Sequence, residues 1–359
     1  MGSPFFSILL PTKNRSEIVG GAIQSVLSQS LADFELVISD NDDSPTATRD
    51  VVATFRDPRI VYVRTSGALS MHDNWDNAFA HARGDHVLIL EDKMRLVGDA
   101  LKILRSLAVD ENVPVSFRAT SAPGEMLASP ASAPSGRRLP SREIIDEFVR
   151  FRPKSFHLIP KGFDCCVSRG ILSRIKAASP TGYLFSYICP DYSFGFMLLS
   201  TVDAVLRIEE PLVFIPNNWM WSGSYSNGQS SYRKDGLIRR FLSDLPIDRR
   251  EIVARVPIKV EFLWINMVLY DFFTKYRRAG HDVKINWADY HAFVLTLILL
   301  GKKLGADMAE ERAALRESIK RSGWAFRMQV SYKIVIHLAL AAQQVVVGRV
   351  ARIFNRGTN

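Results

Sequence analysis

Short apolar runs alternate with helix-patterned segments through the first quarter of the chain, and this alternation constrains the fold more than any other feature. The apolar runs lie at 5–10, 34–39, 60–64 and 86–90 and have the length of buried strands. Segments with helical spacing of apolar residues lie between them, at 16–29, 46–55 and 71–83. Strands that alternate with helices predict a mostly parallel sheet with helices on both faces, an α/β fold.

Polar and charged residues follow three of these predicted strands. Residues 12–15 come after the first strand, 40–43 after the second and 91–93 after the fourth. In open α/β sheets, ligands bind outside the carboxyl ends of the strands. The sequence therefore predicts a ligand site at this edge of the sheet.

The composition is typical of a folded globular protein. The chain has 359 residues, of which 47% are hydrophobic and 23% charged, and this excludes a disordered chain or a multi-span membrane protein. Its three cysteines offer neither a disulfide framework nor a CxxC metal motif. The N-terminus runs into the first strand pattern without a signal-peptide pattern, so we expect a cytoplasmic protein.

Residues 119–140 are rich in Ala, Ser, Pro and Gly and predict a flexible loop. The loop separates residues 1–118, the first half of the predicted α/β domain, from a second half at 141–255. Residues 256–359 return to helical spacing and predict a helical C-terminal region.

The motifs of the first hundred residues occur in a recognisable order. FSILLPTKNR at 6–15 is followed by AIQSVLSQS at 22–30 and DFELVISDN at 33–41. DNWDNA at 73–78 and ARGDHVLILED at 82–92 come next. Together they resemble the opening of the family 2 glycosyltransferases.

The resemblance implies a GT-A fold, a Rossmann-like and mostly parallel sheet flanked by helices, here with a C-terminal helical extension. It also implies an inverting transfer of a sugar from a nucleotide-diphospho-sugar, linked to UDP, GDP or dTDP, to a glycan or lipid-linked acceptor. Residues implied to bind the donor are Pro11, Thr12, Asn14, Arg15, Asp40, Asn41, Asn74, Glu91, Asp92 and Lys93. Asp40 would accept a hydrogen bond from the base; alternatively, it ends the strand in a turn.

The acidic motif after the fourth strand departs from the family's pattern. The family has an Asp-x-Asp motif whose last acid commonly binds a divalent metal, and Lys93 stands at that position. Either Glu91 and Asp92 hold Mn²⁺ or Mg²⁺ with shifted geometry, or the Lys93 ammonium replaces part of the metal's charge. A third interpretation is that Lys93 points to solvent and pairs with a neighbouring acid.

An inverting displacement needs a base for the acceptor hydroxyl, and Asp191 lies where the family has its catalytic acid. The alternative for Asp191 is a helix N-cap, and Asp164 is the reserve candidate for the base. Further on, Trp219 and Trp221 could stack on a sugar and Arg233 could clamp the diphosphate as parts of a closing segment. The alternatives are a core aromatic pair and a solvated charge.

Charge is distributed unevenly along the chain. The net charge is +9, yet residues 1–110 carry net −4, and residues 318–359 hold seven Lys and Arg with no acid. The final apolar helix pattern, flanked by basic residues, predicts association with an anionic membrane surface at the inner face of the cytoplasmic membrane. The alternative is a helix packed on protein, and we expect no nucleic-acid partner.

Two other functions stay open from the sequence. A nucleotidyltransferase would need a Gly-rich phosphate loop after the first strand, and residues 11–15 contain no glycine. The protein could also be a non-catalytic nucleotide-sugar-binding or membrane-scaffold module, because Lys93 replaces the last acid of the family's motif.

Overall fold

A computed structural model describes residues 2–108, 110–122, 135–152, 155–185, 188–216, 247–303 and 305–354, with the side chains of 341–354 excepted. The strands are β1 (Phe6–Thr12), β2 (Phe34–Asp40), β3 (Ile60–Arg64), β4 (His86–Ile89), β5 (Arg95–Leu96), β6 (Val115–Thr120), β7 (Arg137–Pro140), β8 (Cys165–Ser168) and β9 (Ala204–Phe214).

The helices of the first two thirds of the described chain are α1 (Ser16–Leu27), α2 (Ala47–Ala53), α3 (Met71–Ala80), α4 (Ala100–Leu107), α5 (Ser141–Phe148), α6 (Arg169–Ala178) and α7 (Pro190–Thr201). A short 3₁₀ helix covers Ser155–His157. The later helices are α8 (Arg249–Ala254), α9 (Trp264–Lys275), α10 (Trp287–Lys303), α11 (Ala309–Lys320) and α12 (Trp324–Phe354). The predicted α/β sheet with a helical C-terminal extension is confirmed.

The described strands form one mixed sheet in the order β3-β2-β1-β4-β8-β6-β9-β5, with β7 paired to β9. The first four are parallel, and β8 then joins β4 antiparallel. Because the chain adds β2 and β3 on one side of β1 and β4 on the other, the strand order reverses between β1 and β4. Ligands bind at such a switch point in open α/β sheets.

The central strands are buried on both faces. All seven residues of β1 and of β2 are buried, as continuous apolar runs in central parallel strands should be. Helix α1 packs its apolar face, with Val19, Ile23 and Val26, into the same core. This packing fixes the loops at the carboxyl ends of β1 and β2, which carry the predicted donor residues.

The predicted loop at 119–140 needs a correction. Thr120 still belongs to β6, and Arg137–Pro140 pairs with β9 as β7. The backbone groups at both ends of the segment are therefore used in the sheet, and the Ala-, Ser- and Pro-rich centre at 123–134 lies outside the described residues.

Contacts divide the chain into two compact units, and their boundaries do not follow the sequence in order. The first comprises Met1–Glu143, Ile159–Ser224 and Asp271–Gly280, and it contains the whole sheet. The second comprises Ile144–Leu158, Tyr225–Tyr270 and His281–Asn359. An aromatic cluster lies in its core, where Phe156 stacks on Phe293 with ring centroids 4.8 Å apart.

Two further properties bear on the predictions. No helix among the described residues combines the length and the apolar character that crossing a bilayer requires. Cys165, Cys166 and Cys189 are all buried as free thiols, and burial raises the pKa of each.

Candidate active site

The loops after β1 and β2 are locked together at the carboxyl edge of the sheet. Asn14 has a positive φ of 55°, a conformation that asparagine tolerates better than most residues. Its Nδ2 donates to Asp43 Oδ2 at 2.7 Å, while the Asp43 backbone N–H donates to Asn14 Oδ1 at 2.8 Å. The Asn14 backbone N–H also donates to Asp42 Oδ1. This pairing presents Asn14 at the surface of the predicted donor site.

Asn74 of α3 links the carboxyl ends of β1 and β2. It is buried, its Nδ2 donates to the Thr12 carbonyl at 3.1 Å, and it accepts a hydrogen bond from Ser39 Oγ at 2.6 Å. Asn41 is also buried, and its side chain bonds the backbone of Leu69 as donor and acceptor. Both amides therefore hold loops in place, and their predicted contact with the donor stays a prediction.

The Asp40 carboxylate is fully buried and its oxygens already have partners. Oδ2 accepts from the Tyr62 hydroxyl at 2.5 Å and from Arg64 Nη1 at 3.0 Å. Oδ1 accepts from the Asp42 backbone N–H at 2.9 Å, which is the Asx-type turn considered from sequence. Burial and the Asp40 carboxylate raise the pKa of Tyr62 to about 12. Asp40 therefore forms this turn, and its direct contact with the base of a nucleotide stays a prediction.

Each acid of the motif after β4 is paired with a cation of the chain. Lys93 Nζ lies 2.8 Å from Glu91 Oε2, and both side chains are largely buried. Arg15 Nη1 donates to Asp92 Oδ1 at 2.5 Å, and Thr12 Oγ1 donates to Asp92 Oδ2 at 2.9 Å. The expectation that Lys93 pairs with a neighbouring acid is confirmed, whereas its predicted exposure to solvent is wrong because it is buried.

These pairs bear directly on the predicted metal. A divalent cation prefers several carboxylate or carbonyl oxygens that are not already occupied by cations. The described residues contain no group of three or more His, Cys, Asp and Glu side chains that could hold a metal ion. Glu91 and Asp92, as paired in this structure, do not fit a divalent metal.

Strand β8 brings a second set of charged groups to the same edge. Because β8 runs antiparallel to β4, the turn that precedes β8 lies beside the carboxyl end of β4, and Ile89 N–H donates to the Gly162 carbonyl at 3.2 Å. Gly162 favours this approach, since a Cβ there would lie 2.7 Å from Ile89 Cδ1 and would displace the end of that side chain. Lys161 and Asp164 flank the glycine and are both buried.

Lys161 and Asp164 form an incompletely satisfied pair. Lys161 Nζ donates to Asp164 Oδ2 at 3.3 Å and lies 5.2 Å from the centre of the Tyr192 ring. Asp164 Oδ1 has no hydrogen-bond partner among the described residues, and burial raises the pKa of Asp164 despite Lys161. Sequence reasoning named Asp164 only as a reserve and missed Lys161. A lysine beside a glycine immediately before a buried strand was the available signal.

Helix α7 places Asp191 in this group. Cys189 is the N-cap and Pro190 begins the helix, so Asp191 lies in the first turn, and the N-cap alternative is wrong by two positions. Gly195 allows α7 to pack closely, since a Cβ there would lie 2.6 Å from Ile159 Cγ2 and 3.0 Å from the Pro160 carbonyl oxygen. The helix start is thereby held against the segment that carries Lys161.

The electrostatics of Asp191 suit proton transfer. Burial raises its pKa to about 6, with the negative charges of Glu91 and Asp164 adding to the effect and the ammonium of Lys161 opposing it. A carboxylate with such a pKa is mostly ionised at pH 7 and still basic enough to take a proton. Perturbed acids of this kind cluster at functional sites.

The predicted closing segment cannot be placed. Trp219, Trp221 and Arg233 lie outside the described residues. Their predicted roles in stacking on a sugar and holding a diphosphate stay predictions.

Comparison with known proteins identifies the family of the part of the sheet that carries the predicted donor residues. Residues 7–119 match the protein family described as Glycosyl transferase family 2. The chain carries a glycosyltransferase family 2 domain. This domain, together with the strand order and the switch point between β1 and β4, confirms the GT-A fold that the resemblance implied.

Two curated relatives match the family 2 domain. One is named GalNAc(5)-diNAcBac-PP-undecaprenol beta-1,3-glucosyltransferase, from Campylobacter jejuni, and is 32% identical over 108 residues, 29% of this chain and 35% of the relative. Another is UDP-Glc:alpha-D-GlcNAc-diphosphoundecaprenol beta-1,3-glucosyltransferase WfgD of Escherichia coli, 29% identical over 107 residues, 30% of this chain and 42% of the relative. The family 2 domain therefore aligns with less than half the length of these relatives.

A likeness to one solved structure extends beyond the family 2 domain. S. aureus TarS 1-349 in complex with UDP-GlcNAc aligns with 96% of this chain and 92% of its own, at 14% identity and a TM-score of 0.48.

Proposed function

We propose that this protein is an inverting glycosyltransferase that moves a sugar from a nucleotide-diphospho-sugar to a lipid-linked glycan acceptor. The observation that carries the proposal is Asp191, a half-buried carboxylate with a pKa raised to about 6, grouped with Glu91, Lys161 and Asp164. This group lies beside the carboxyl end of β4, next to the switch point where ligands bind in this fold.

The proposed reaction is a single displacement. Asp191 takes the proton of the acceptor hydroxyl as that oxygen attacks the anomeric carbon, and the bond from that carbon to the diphosphate oxygen breaks. The nucleoside diphosphate leaves with its negative charge, and inversion follows from attack on the face opposite the leaving group. The β-1,3 linkage in both relatives' names is the product that inversion of an α-linked donor gives.

The donor side binds the nucleotide diphosphate. We infer that the carboxyl ends of β1 and β2 and the loops after them, which carry Thr12, Asn14 and Asp40, receive the nucleoside. Arg15 and Lys93 lie in the loops after β1 and β4 and are paired with Asp92 and Glu91. We propose that both turn towards the leaving diphosphate when the donor binds. Preorganised cations beside developing negative charge lower the barrier strongly because they need no reorganisation.

Divalent metal is not needed for this proposal. Lys93 and Arg15 already neutralise Glu91 and Asp92, so a metal would first have to displace them. We propose that the enzyme has weak or no dependence on Mn²⁺ or Mg²⁺, with the two side chains supplying part of the positive charge. The test is activity in the presence of a chelator.

The names of the two relatives support the proposed acceptor. Both are named for undecaprenol-linked substrates, and this supports a lipid-linked acceptor. We propose that the protein acts at the inner face of the cytoplasmic membrane. A protein that reaches such an acceptor from the aqueous side must bind the membrane surface at least transiently.

The decisive experiment combines binding and turnover. Thermal unfolding is measured against UDP-, GDP-, dTDP- and CMP-sugars, and ligand at 100 times its Kd is expected to stabilise the protein by about 2.7 kcal/mol. The stabilising donor is then incubated with undecaprenyl-diphosphate-linked sugar acceptors. Stabilisation without transfer to any acceptor would favour the non-catalytic binding module, and release of pyrophosphate from a nucleoside triphosphate would favour the nucleotidyltransferase.

A further inference from the structure

The outer face of α12 carries a continuous stripe of large apolar side chains. The stripe consists of Trp324, Met328, Tyr332, Val335 and Leu338, and exposure ranges from 42% at Leu338 to 80% at Trp324. Successive members are four, four, three and three residues apart, so they occupy one side of the helix. Within the part of the second unit that the structure describes, solvent faces this stripe.

The inner face of the same helix meets α10 through apolar and polar side chains. Val330 is buried, and the ring of Phe326 lies edge-on to that of His291, with centroids 5.3 Å apart. Lys333 Nζ donates to Asp289 Oδ2 at 3.0 Å, and His337 Nε2 lies 3.4 Å from Asp289 Oδ1. His337 is buried, and burial lowers its pKa although Asp289 opposes the shift. Lys333 and His337 thus face α10.

The charges around the stripe indicate what covers it. Residues 318–359 hold seven Lys and Arg and no acid, and Lys320, Arg321 and Arg327 are exposed near the start of the stripe. Arg321 is partly offset by Glu317 at 2.9 Å, and Arg327 holds carbonyl oxygens at the end of α11. A second copy of this surface would bring the same positive charge, whereas an anionic lipid surface complements it.

The aromatic members of the stripe fit the same partner. Trp324 and Tyr332 each combine an apolar ring with a polar group, the combination that is enriched at membrane–water interfaces. A helix with one apolar face and flanking basic residues lies in the plane of the interface.

We propose that the stripe docks α12 onto an anionic bilayer with the helix in the membrane plane. The inference deepens the proposed function and rests on it in one respect, that a lipid-linked acceptor makes such docking useful. The apolar side chains enter the headgroup boundary while Lys333 and His337 stay bound to Asp289.

The test uses two substitutions with the same charge change on the same helix. Val335→Glu puts a carboxylate in the stripe, and Gln329→Glu puts one at an exposed position outside it. The full-length proteins are sedimented with vesicles of phosphatidylcholine mixed with phosphatidylglycerol, and with vesicles of phosphatidylcholine alone. We expect wild type and Gln329→Glu to bind the anionic vesicles. We expect the affinity of Val335→Glu for them to be lower by about tenfold or more, because a carboxylate resists entry into the interface.

Controls separate this inference from the enzymatic one. Circular dichroism and donor affinity are expected to be the same in all three proteins, and transfer to a water-soluble acceptor should also be unchanged. Equal vesicle binding by Val335→Glu and Gln329→Glu overturns the inference. So does a wild-type dimer in solution that ignores vesicles and that Val335→Glu dissociates, because the stripe would then be an interface between copies. If no donor supports transfer, the proposed function fails while the vesicle result still decides the docking.

Discussion

The carboxylates on the two sides of the switch point differ in how completely they are satisfied. On the donor side, Asp40 and Asp92 each receive hydrogen bonds from an arginine and a hydroxyl. On the proposed acceptor side, at the start of β8 and of α7, Asp164 keeps one oxygen without a partner among the described residues. Burial raises the pKa of Asp191 to about 6, and it also raises the pKa of Asp92, although Arg15 and Thr12 oppose that shift. Satisfied acids fix the shape of a binding site, whereas a poorly solvated acid is prepared to take a proton.

The largest expected effect is on the acceptor side. Asp191→Asn keeps the shape of the side chain but cannot take a proton, so turnover should fall by about 10²–10⁴ while donor affinity stays nearly constant. Steady-state kinetics and donor titration measure the two quantities. Asp85→Asn is the matched control because Asp85 is exposed and immediately precedes β4, at the opposite edge of the sheet. Turnover of Asp191→Asn within threefold of wild type would remove Asp191 from the mechanism.

The second prediction concerns the cation that neutralises Glu91. Lys93→Ala should lower turnover by about 10²–10³, the effect of removing one preorganised group beside a developing charge, and added Mn²⁺ should restore little. Lys93→Asp, which recreates the family's acid, should make the residual activity respond to Mn²⁺. Activity is measured with and without EDTA. If EDTA eliminates wild-type activity and Lys93→Ala remains active, Glu91 and Asp92 hold a metal and the contrast between the two sides is lost.

A smaller effect is expected from a fully satisfied donor-side acid. Asp40→Ala should weaken nucleotide binding by about 1.5–3 kcal/mol if the carboxylate meets the base, as hydrogen bonds to charged groups contribute about that much. Isothermal titration gives the affinity and thermal unfolding reports the fold. Tyr62→Phe is the control because it removes one partner of Asp40 and leaves the carboxylate. Unchanged nucleotide affinity in a folded Asp40→Ala protein would make Asp40 a turn residue alone.

The smallest effect is a displaced pH profile. The ionised form of Asp191 is the proposed base, so turnover should rise as the pH increases through about 6 and then level off. Lys161 favours the ionised form, and Lys161→Met should therefore move the rise to higher pH. Lys102→Met, at an exposed position of α4, should leave the profile in place. A profile that Lys161→Met does not move would separate Lys161 from the base.

The donor side could be predicted from the sequence because its strands are long and follow one another. The predicted bounds of β3 are those of the structure, and the predicted bounds of β1, β2 and β4 differ from the structure by at most two residues at either end. The acceptor side depends on β8, a four-residue strand whose antiparallel pairing with β4 has no local signature. Lys161 was missed for that reason, since only this pairing brings residues before a strand to the carboxyl edge. The pairing of Lys93 with a neighbouring acid was among the interpretations from sequence, whereas the ion pair of Asp92 with Arg15 was not, because these two residues are 77 positions apart.

The three buried thiols have a practical consequence for following how the sheet opens. Cys165 and Cys166 lie in β8 and Cys189 precedes α7, and all react with alkylating reagents only as thiolates, which burial disfavours. In the folded protein their alkylation must wait for a transient opening of β8 or of the start of α7. The labelling rate of the unmutated protein, measured by mass spectrometry, therefore reports how often the segments that hold Asp164 and Asp191 open.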